Sequence, residues 1–318
     1  MREIGGYIEL DTYQLPMLHD GALALNCGRN ALAYLLNARK IRRLWIPKFI
    51  CDSVTRVCER EEVPYSFYSI GLDFLPAQEI PLGEGEWFYL VNYYSQLDNK
   101  KIAEFVNKYQ RVIVDHAQSY FQEPLDEVDS LYTCRKYFGV ADGAFLFTDA
   151  RLDDELPQDE SFERMHFLLG RFERTASEFY SEYVANNDLF VTEPIKRMSK
   201  LTENLLHGID YERVKAAREY NYLYLHKALG SINGLRLGEK PGTFMYPLLL
   251  ENGAEMRKKL LQKKIYIPTL WPDVLEWCGE NEIEYQMVKN ILPLPIDQRY
   301  CAEDMKYLVK EVFVLQGH

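Results

Sequence analysis

A chain of 318 residues, 47% hydrophobic and 27% charged, is long enough for a large core and two structural units, and its composition is that of a soluble globular protein. Its net charge of −11 argues against nucleic acid as a general partner, because a phosphate backbone is bound by surplus Lys and Arg; a local basic pocket for one small phosphate is not excluded. No apolar run approaches a membrane span, MREIGGYIELD lacks the layout of a signal peptide, and Cys27, Cys51, Cys58, Cys134, Cys278 and Cys301 show neither a CxxC pair nor metal-ligand spacing, so the expectation is a cytoplasmic chain with free thiols, no metal and no membrane contact.

After an irregular start, GRNALAYLLNARK (28–40) has apolar residues at helical spacing, opened by Gly28. RLWIP (43–47) reads as a short strand and DSVTRVCERE (52–61) as a helix capped by Asp52. Strands are expected at VPYSFYSI (63–70) and EWFYLVNYY (86–94), an amphipathic helix at NKKIAEFVNKY (99–109), and an apolar strand ending in charge at RVIVDHA (111–117). Two further strands near 130–134 and 143–148 follow without a long helix between them. Alternation of buried strands with helices of this length predicts an α/β fold with a mainly parallel sheet covered on both faces, whose ligand crevice lies off the carboxyl ends of the strands.

Beyond about residue 150 the pattern changes. Residues 160–187 and 209–229 read as long helical stretches with wide apolar faces. TFMYPLLLE (243–251), the helix GAEMRKKLLQKK (253–264), IYIPTL (265–270), NILPLPI (290–296) and the helix AEDMKYLVKEVFVL (302–315) form a compact α+β unit. The glycine-rich segment GSINGLRLGEKPG marks a boundary near 230–240. The expected division is a large domain over 16–230 and a small one over 231–318, joined by the N-terminal arm 1–15.

Asp115 closes one apolar run and Lys136 sits where the next such segments meet. Ordinary strand-end charges explain both. So does pyridoxal phosphate chemistry, which needs an amine for the aldehyde, a carboxylate to keep the pyridine nitrogen protonated, and helix N-terminal N–H groups for the phosphate. Gly28, Arg29 and Asn30 open the first strong helix and supply the third part.

The ordered set NCGRNALAYLL, IPKFICDSV, VIVDHAQSYF and YTCRKYFGVADGAFL resembles the DegT/StrS-type family of pyridoxal-phosphate-dependent aminotransferases, best known for acting on nucleotide-linked keto sugars. The likeness continues through DYERVKAAREYNYLYLHKAL, IYIPTLWP and ILPLPIDQRYCAEDM, so it spans nearly the whole chain. It implies fold-type I, with a seven-stranded sheet, a smaller C-terminal α+β domain and a homodimer whose sites lie at the subunit interface. It also implies that Lys136 carries the internal aldimine and shuttles a proton, that Asp115 pairs with the pyridinium nitrogen, that Ala117 packs on one ring face and that Gln118 bonds the ring's phenolic oxygen. The amides of Arg29 and Asn30, next to Gly28, would take the phosphate with the hydroxyl of Thr133. The implied reaction moves an amino group from a small donor, glutamate, to a keto acceptor.

His116 is turned away from the Asp115 side by strand alternation and is expected to be structural. Cys51 and Cys134 are expected to pack, and Phe49, Tyr93 and Tyr94 are alternatives for an aromatic on the exposed ring face. Three departures from the family pattern stand out: Ala144 for a glycine, Ser95 for a glycine after the aromatic, and SKLTENLLHGIDYE in place of a longer loop lent to the neighbouring subunit. They leave open a non-catalytic relative, while a sugar dehydratase, the other alternative, generally replaces the lysine by histidine.

Overall fold

The computed structural model describes residues 4–238 and 242–317, so residues 1–3 of the expected arm, 239–241 of the expected boundary and 318 lie outside the described residues. In chain order the first half runs β1 (Leu23–Leu25), α1 (Gly28–Ala38), β2 (Arg43–Pro47), α2 (Asp52–Arg60), β3 (Tyr65–Tyr68), β4 (Glu86–Val91), α3 (Asn99–Tyr109), β5 (Val112–Asp115), β6 (Asp129–Thr133) and β7 (Ala144–Phe147). The second half runs α4 (His166–Glu173), α5 (Tyr180–Leu189), α6 (Lys200–Leu206), α7 (Tyr211–Leu229), β8 (Met245–Leu249), α8 (Gly253–Gln262), α9 (Val274–Trp277), α10 (Ile283–Asn290), β9 (Ile291–Pro295) and α11 (Ala302–Gln316).

Seven strands form one sheet in the order β1-β7-β6-β5-β4-β2-β3. The pairs from β3 across to β6 are parallel, while β7 runs antiparallel to both β6 and β1. Parallel strands covered on both faces need no polar alternation, and Val112, Ile113 and Val114 of β5 are accordingly all buried. Helix α1 contributes Ala31, Leu32, Leu35 and Leu36 to the same core. A second apolar cluster surrounds the antiparallel pair β8–β9 and takes in Tyr222, Leu225 and Leu229 from the C-terminal half of α7.

This topology gathers one edge. Thr133 at the end of β6 pairs with Ala144 at the start of β7, which in turn pairs with Leu25 at the end of β1. The chain leaves Leu25 directly into α1, so the N-terminus of α1 lies at the edge where β5 ends in Asp115 and β6 in Thr133. The crossing depends on Gly143, whose φ of +112° is a conformation that side-chain-bearing residues rarely adopt; a Cβ there would also come within 3.2 Å of Cys134 Sγ.

Several elements differ from the sequence expectation. Asp52 is the first residue inside α2, not its cap; Cys51 holds the cap position, and Asp52 pairs instead with Arg56 one turn on. The expected long helix over 160–187 is broken. Helix α4 ends where Arg174 turns extended, and Thr175 with Glu178 forms a capping box that starts a new turn leading into α5. Gly170 lets the two pieces close up, since a Cβ there would sit 2.3 Å from the Phe179 ring. The strand expected over 86–94 stops at Val91 and passes into a tight turn, Tyr93–Ser95, and residues 265–270 form an irregular connection. Helix α6 forms within SKLTENLLHGIDYE, because Ser199 caps it through the Thr202 N–H (3.1 Å). Ser199 is itself held by the fully buried Asp142 carboxylate, through its N–H and its hydroxyl at 2.7 Å each.

Candidate active site

The Asp115 carboxylate is buried at the end of β5 and fixed by two donors. Its Oδ1 accepts the Ala117 N–H at 2.7 Å and its Oδ2 accepts the Tyr89 hydroxyl at 2.8 Å. Tyr89 pairs with Ile113 across β4 and β5, so alternation puts its side chain on the same face as Asp115. Burial pushes the Asp115 carboxyl above its ordinary range, and the Lys136 amine, the Ala117 N–H and the Tyr89 hydroxyl oppose that.

Lys136 follows β6 by one turn. Its side chain is exposed, yet protein crowds around its amine, which lies over the Phe244 ring at 5.4 Å from the centroid. That crowding lowers its pKa; Asp115 and Cys51 pull it back up, and Arg29 pushes it further down. Lys136 and Asp115, separate in sequence, therefore act on each other electrostatically.

Gln118 ties three segments together. Its side-chain oxygen accepts the Tyr94 N–H at 2.9 Å, and its backbone carbonyl accepts the Ser95 hydroxyl at 3.1 Å and the Phe244 N–H at 3.3 Å. The side chain is 2% exposed, yet its Nε2 has no hydrogen-bond partner. A buried amide donor left unpaired costs about 1–3 kcal/mol, and none of the described residues supplies the acceptor this group lacks.

At the head of α1 the cap residue is Cys27, and no side chain caps the helix. Burial pushes the Cys27 thiol up, so it stays neutral. The side chain of Asn30 is fully buried and bonded to Asn26 and Pro194, while the main-chain N–H groups of Asn30 and Arg29 lie next to the Cys27 thiol. Thr133 lies against Gly28, whose absent Cβ would stand 3.8 Å from the Thr133 Cβ. A buried acid, a half-open lysine, an unpaired amide donor and an uncapped helix N-terminus fit pyridoxal phosphate. Ala117 is half-buried beside them.

Of the remaining candidates, Cys51 bears on the Lys136 amine and the others have partners elsewhere. His116 is 1% exposed, bonded to the Ser119 hydroxyl at 2.8 Å and stacked on Tyr132 at 4.7 Å. Cys51 is half-buried with its thiol pKa raised, chiefly by burial, and Cys134 is buried with its own pushed up. Phe49 and Tyr93 pack on each other and on Trp271, and Tyr94 is fully buried against Phe74. The ring that does touch Lys136, Phe244, was missed because it comes from the far end of the chain, at the entry to β8. No local pattern marks it.

No family model matches the chain, and no curated protein sequence does. Solved structures do. A DegT DnrJ EryC1 StrS aminotransferase from Brucella abortus superposes with a TM-score of 0.63 at 13% identity, covering 93% of this chain and 86% of that one. DesV of S. venezuelae, solved in complex with a ketimine intermediate, gives 0.64 at 13% identity over 94% and 89%. NtdA from Bacillus subtilis, with bound cofactor PMP, gives 0.64 at 11% identity over 93% and 73%. The chain has the fold of these aminotransferases.

Within that aminotransferase fold the three departures each have a local account. Tyr94 and Ser95 both adopt positive φ, +48° and +57°, so Ser95 occupies a conformation that a glycine takes without strain. Its hydroxyl bond to the Gln118 carbonyl holds it there. Ala144 is fully buried between Leu25 and Thr133, so its methyl group packs in the sheet. The segment around α6 is folded against its own chain: Asn204 accepts the Tyr13 N–H and donates to the Asp11 carbonyl, both at 2.9 Å, which ties down the N-terminal arm.

Proposed function

We propose that the chain binds pyridoxal phosphate at Lys136 and transfers an amino group from a small donor, glutamate, to a keto acceptor of the nucleotide-linked sugar class. What supports this reading is that the Lys136 amine and the Asp115 carboxylate, at the carboxyl end of the sheet, lie near enough to shift each other's pKa, in a fold shared with aminotransferase structures. When bound, the cofactor supplies an electron sink for the pair of electrons left on the substrate's amino-bearing carbon.

The chain's own groups would divide the work. Asp115, aimed by the Ala117 N–H and the Tyr89 hydroxyl, holds a proton on the ring nitrogen by charge pairing. Lys136, with its pKa lowered by the surrounding protein, is available as a neutral amine to take and return the proton at the substrate carbon. Gln118 donates its free N–H to the ring's phenolic oxygen, and Ala117 leaves room for the ring. The amides of Arg29 and Asn30, with the Thr133 hydroxyl, face the phosphate.

A homodimer is part of the same proposal. Leu169, Phe172, Tyr180 and Tyr183 of the α4–α5 hairpin and Ile4, Tyr7 and Ile8 of the arm are large apolar side chains left exposed, and a second copy is the natural cover. A cytoplasmic setting agrees with six cysteines that form no disulfide; among the described residues no helix is long and apolar enough to cross a membrane.

The test is spectroscopic. Purified protein mixed with pyridoxal phosphate should develop a visible absorbance band that added glutamate shifts and a keto acid restores. A band that forms but ignores every amino acid supports a non-catalytic relative. No band in the wild type removes the reading.

A further inference from the structure

Two guanidinium groups converge on one amide beside the head of α1. Arg29, in the first turn of α1, donates Nη1 to the Asn187 carbonyl (3.2 Å) and to Asn187 Oδ1 (3.5 Å). Arg135, the residue before Lys136, donates its Nη1 to the same Oδ1 (3.4 Å) and lies 4.9 Å over the Phe190 ring. Both side chains are half-buried. In a chain carrying 48 acidic residues, neither makes an ion pair among the described residues.

The contrast with Arg164 is instructive. That side chain lies on Phe190 too, at 5.3 Å, but is matched by Asp159 at 2.6 Å. Around Arg29 and Arg135 the facing groups are the neutral Cys27 thiol, Tyr183, the Asn187 amide and the Lys136 amine, none of them an anion. Burial, with Arg29 and Arg164 nearby, depresses the Arg135 pKa, although Tyr183 and Cys27 oppose this. Arg29 Nε is buried and has no partner among the described residues. The positive end of the α1 dipole adds to the same excess. Like charges sharing one oxygen in a poorly solvated place repel strongly, and one amide does not balance them.

We propose that Arg29 and Arg135 form the charge-neutralising half of an anion site at the α1 N-terminus, built for a phosphate monoester dianion. For the owner of that phosphate the proposal rests on the cofactor reading above. Planar forks of N–H groups suit phosphate oxygens, and a dianion would cancel both charges.

The full-length protein, freed of any cofactor, is titrated with pyridoxal phosphate, pyridoxal and inorganic phosphate, following ligand absorbance and the melting temperature. Arg135→Gln should weaken pyridoxal phosphate about tenfold or more while leaving pyridoxal unchanged, because only the phosphate contact is lost. Its ligand-free melting temperature should equal or exceed the wild type's, since a repulsion has been relieved. Arg135→Lys, which keeps the charge but loses the planar fork, should fall between Arg135→Gln and the wild type. Equal weakening of pyridoxal and its phosphate, or a lowered ligand-free melting temperature with an intact phosphate response, would assign the arginine to structure and overturn the proposal. If the wild type takes no pyridoxal phosphate but is stabilised by inorganic phosphate through Arg135, the anion site stands and the cofactor reading falls. A wild type indifferent to all three ligands overturns both.

Discussion

Asp115 and His116 are adjacent, both buried and carried by the same strand end, but the two faces of the sheet give them opposite surroundings. On one face Asp115 meets Tyr89, the half-open Lys136 amine and, nearby, an amide donor of Gln118 with nothing to bond. On the other, His116 stacks on Tyr132 and bonds Ser119, while His19 packs against the same Tyr132 at 4.1 Å and bonds the Tyr120 carbonyl at 2.8 Å. Both histidines behind the sheet find partners within the chain; in front, Gln118 is held in place with an N–H to spare. Held but incomplete is the signature of a ligand site, and completeness that of a core.

The largest effect that would break this contrast is expected at Asp115. Asp115→Asn should cut amino transfer by about 10²–10⁴-fold, since a neutral amide cannot keep the ring nitrogen charged, while the melting temperature holds or rises because a buried charge has been removed. Single-turnover rates with glutamate, set beside thermal melts, test both halves of that statement. Loss of stability with unchanged turnover would make Asp115 a core residue like its neighbour.

Acid should attack the other face. Burial holds the folded-state pKa of His19 down to about 4 and that of His116 to about 3, His116 being lowered further by His19, against about 6.5 for an unfolded histidine. The unfolded chain therefore binds more protons between those values. Stability is at its full level above pH 6.5 and falls as the pH drops toward 4, by roughly 3 kcal/mol for His19 alone. Urea midpoints between pH 7 and pH 4 measure it, and His19→Gln should flatten the slope. A midpoint independent of pH in that window would show that these rings are not buried neutral.

A smaller change sharpens the comparison from the same strand. His116→Leu should cost about 1–3 kcal/mol through the lost stack and the orphaned Ser119 hydroxyl, with pyridoxal phosphate affinity unaltered. Chemical denaturation and absorbance titration report the two quantities separately. Ser95→Gly should be smallest, within about 1 kcal/mol, because relief of a positive φ offsets loss of the bond to the Gln118 carbonyl.

Periodicity was enough for elements that bury a simple pattern. RLWIP and NKKIAEFVNKY have in the structure the bounds that their residues imply, and VIVD ends at the carboxylate where the apolar run stops. It was not enough where tertiary contacts decide. The three residues of β1 are too few to carry a period, and α6 exists because a serine is gripped by a distant buried aspartate. The 160–187 stretch looks continuous until the close approach at Gly170 and the box at Thr175 divide it.

At the candidate site, Lys136, Asp115 and Gln118 were named from the motifs that carry them. Phe244 against the amine, Tyr89 on the carboxylate, and the two arginines meeting at Asn187 were not, since each contact joins segments with no local signal of their proximity.

The most direct measurement is to reduce the protein–pyridoxal phosphate mixture with borohydride and map the modified peptide by mass spectrometry. A single pyridoxyl phosphate adduct on Lys136, absent from Lys136→Ala and formed in one equivalent per chain, is the predicted result. Adducts scattered over surface lysines, or an unmodified Lys136 in protein that retains its fold, would contradict it.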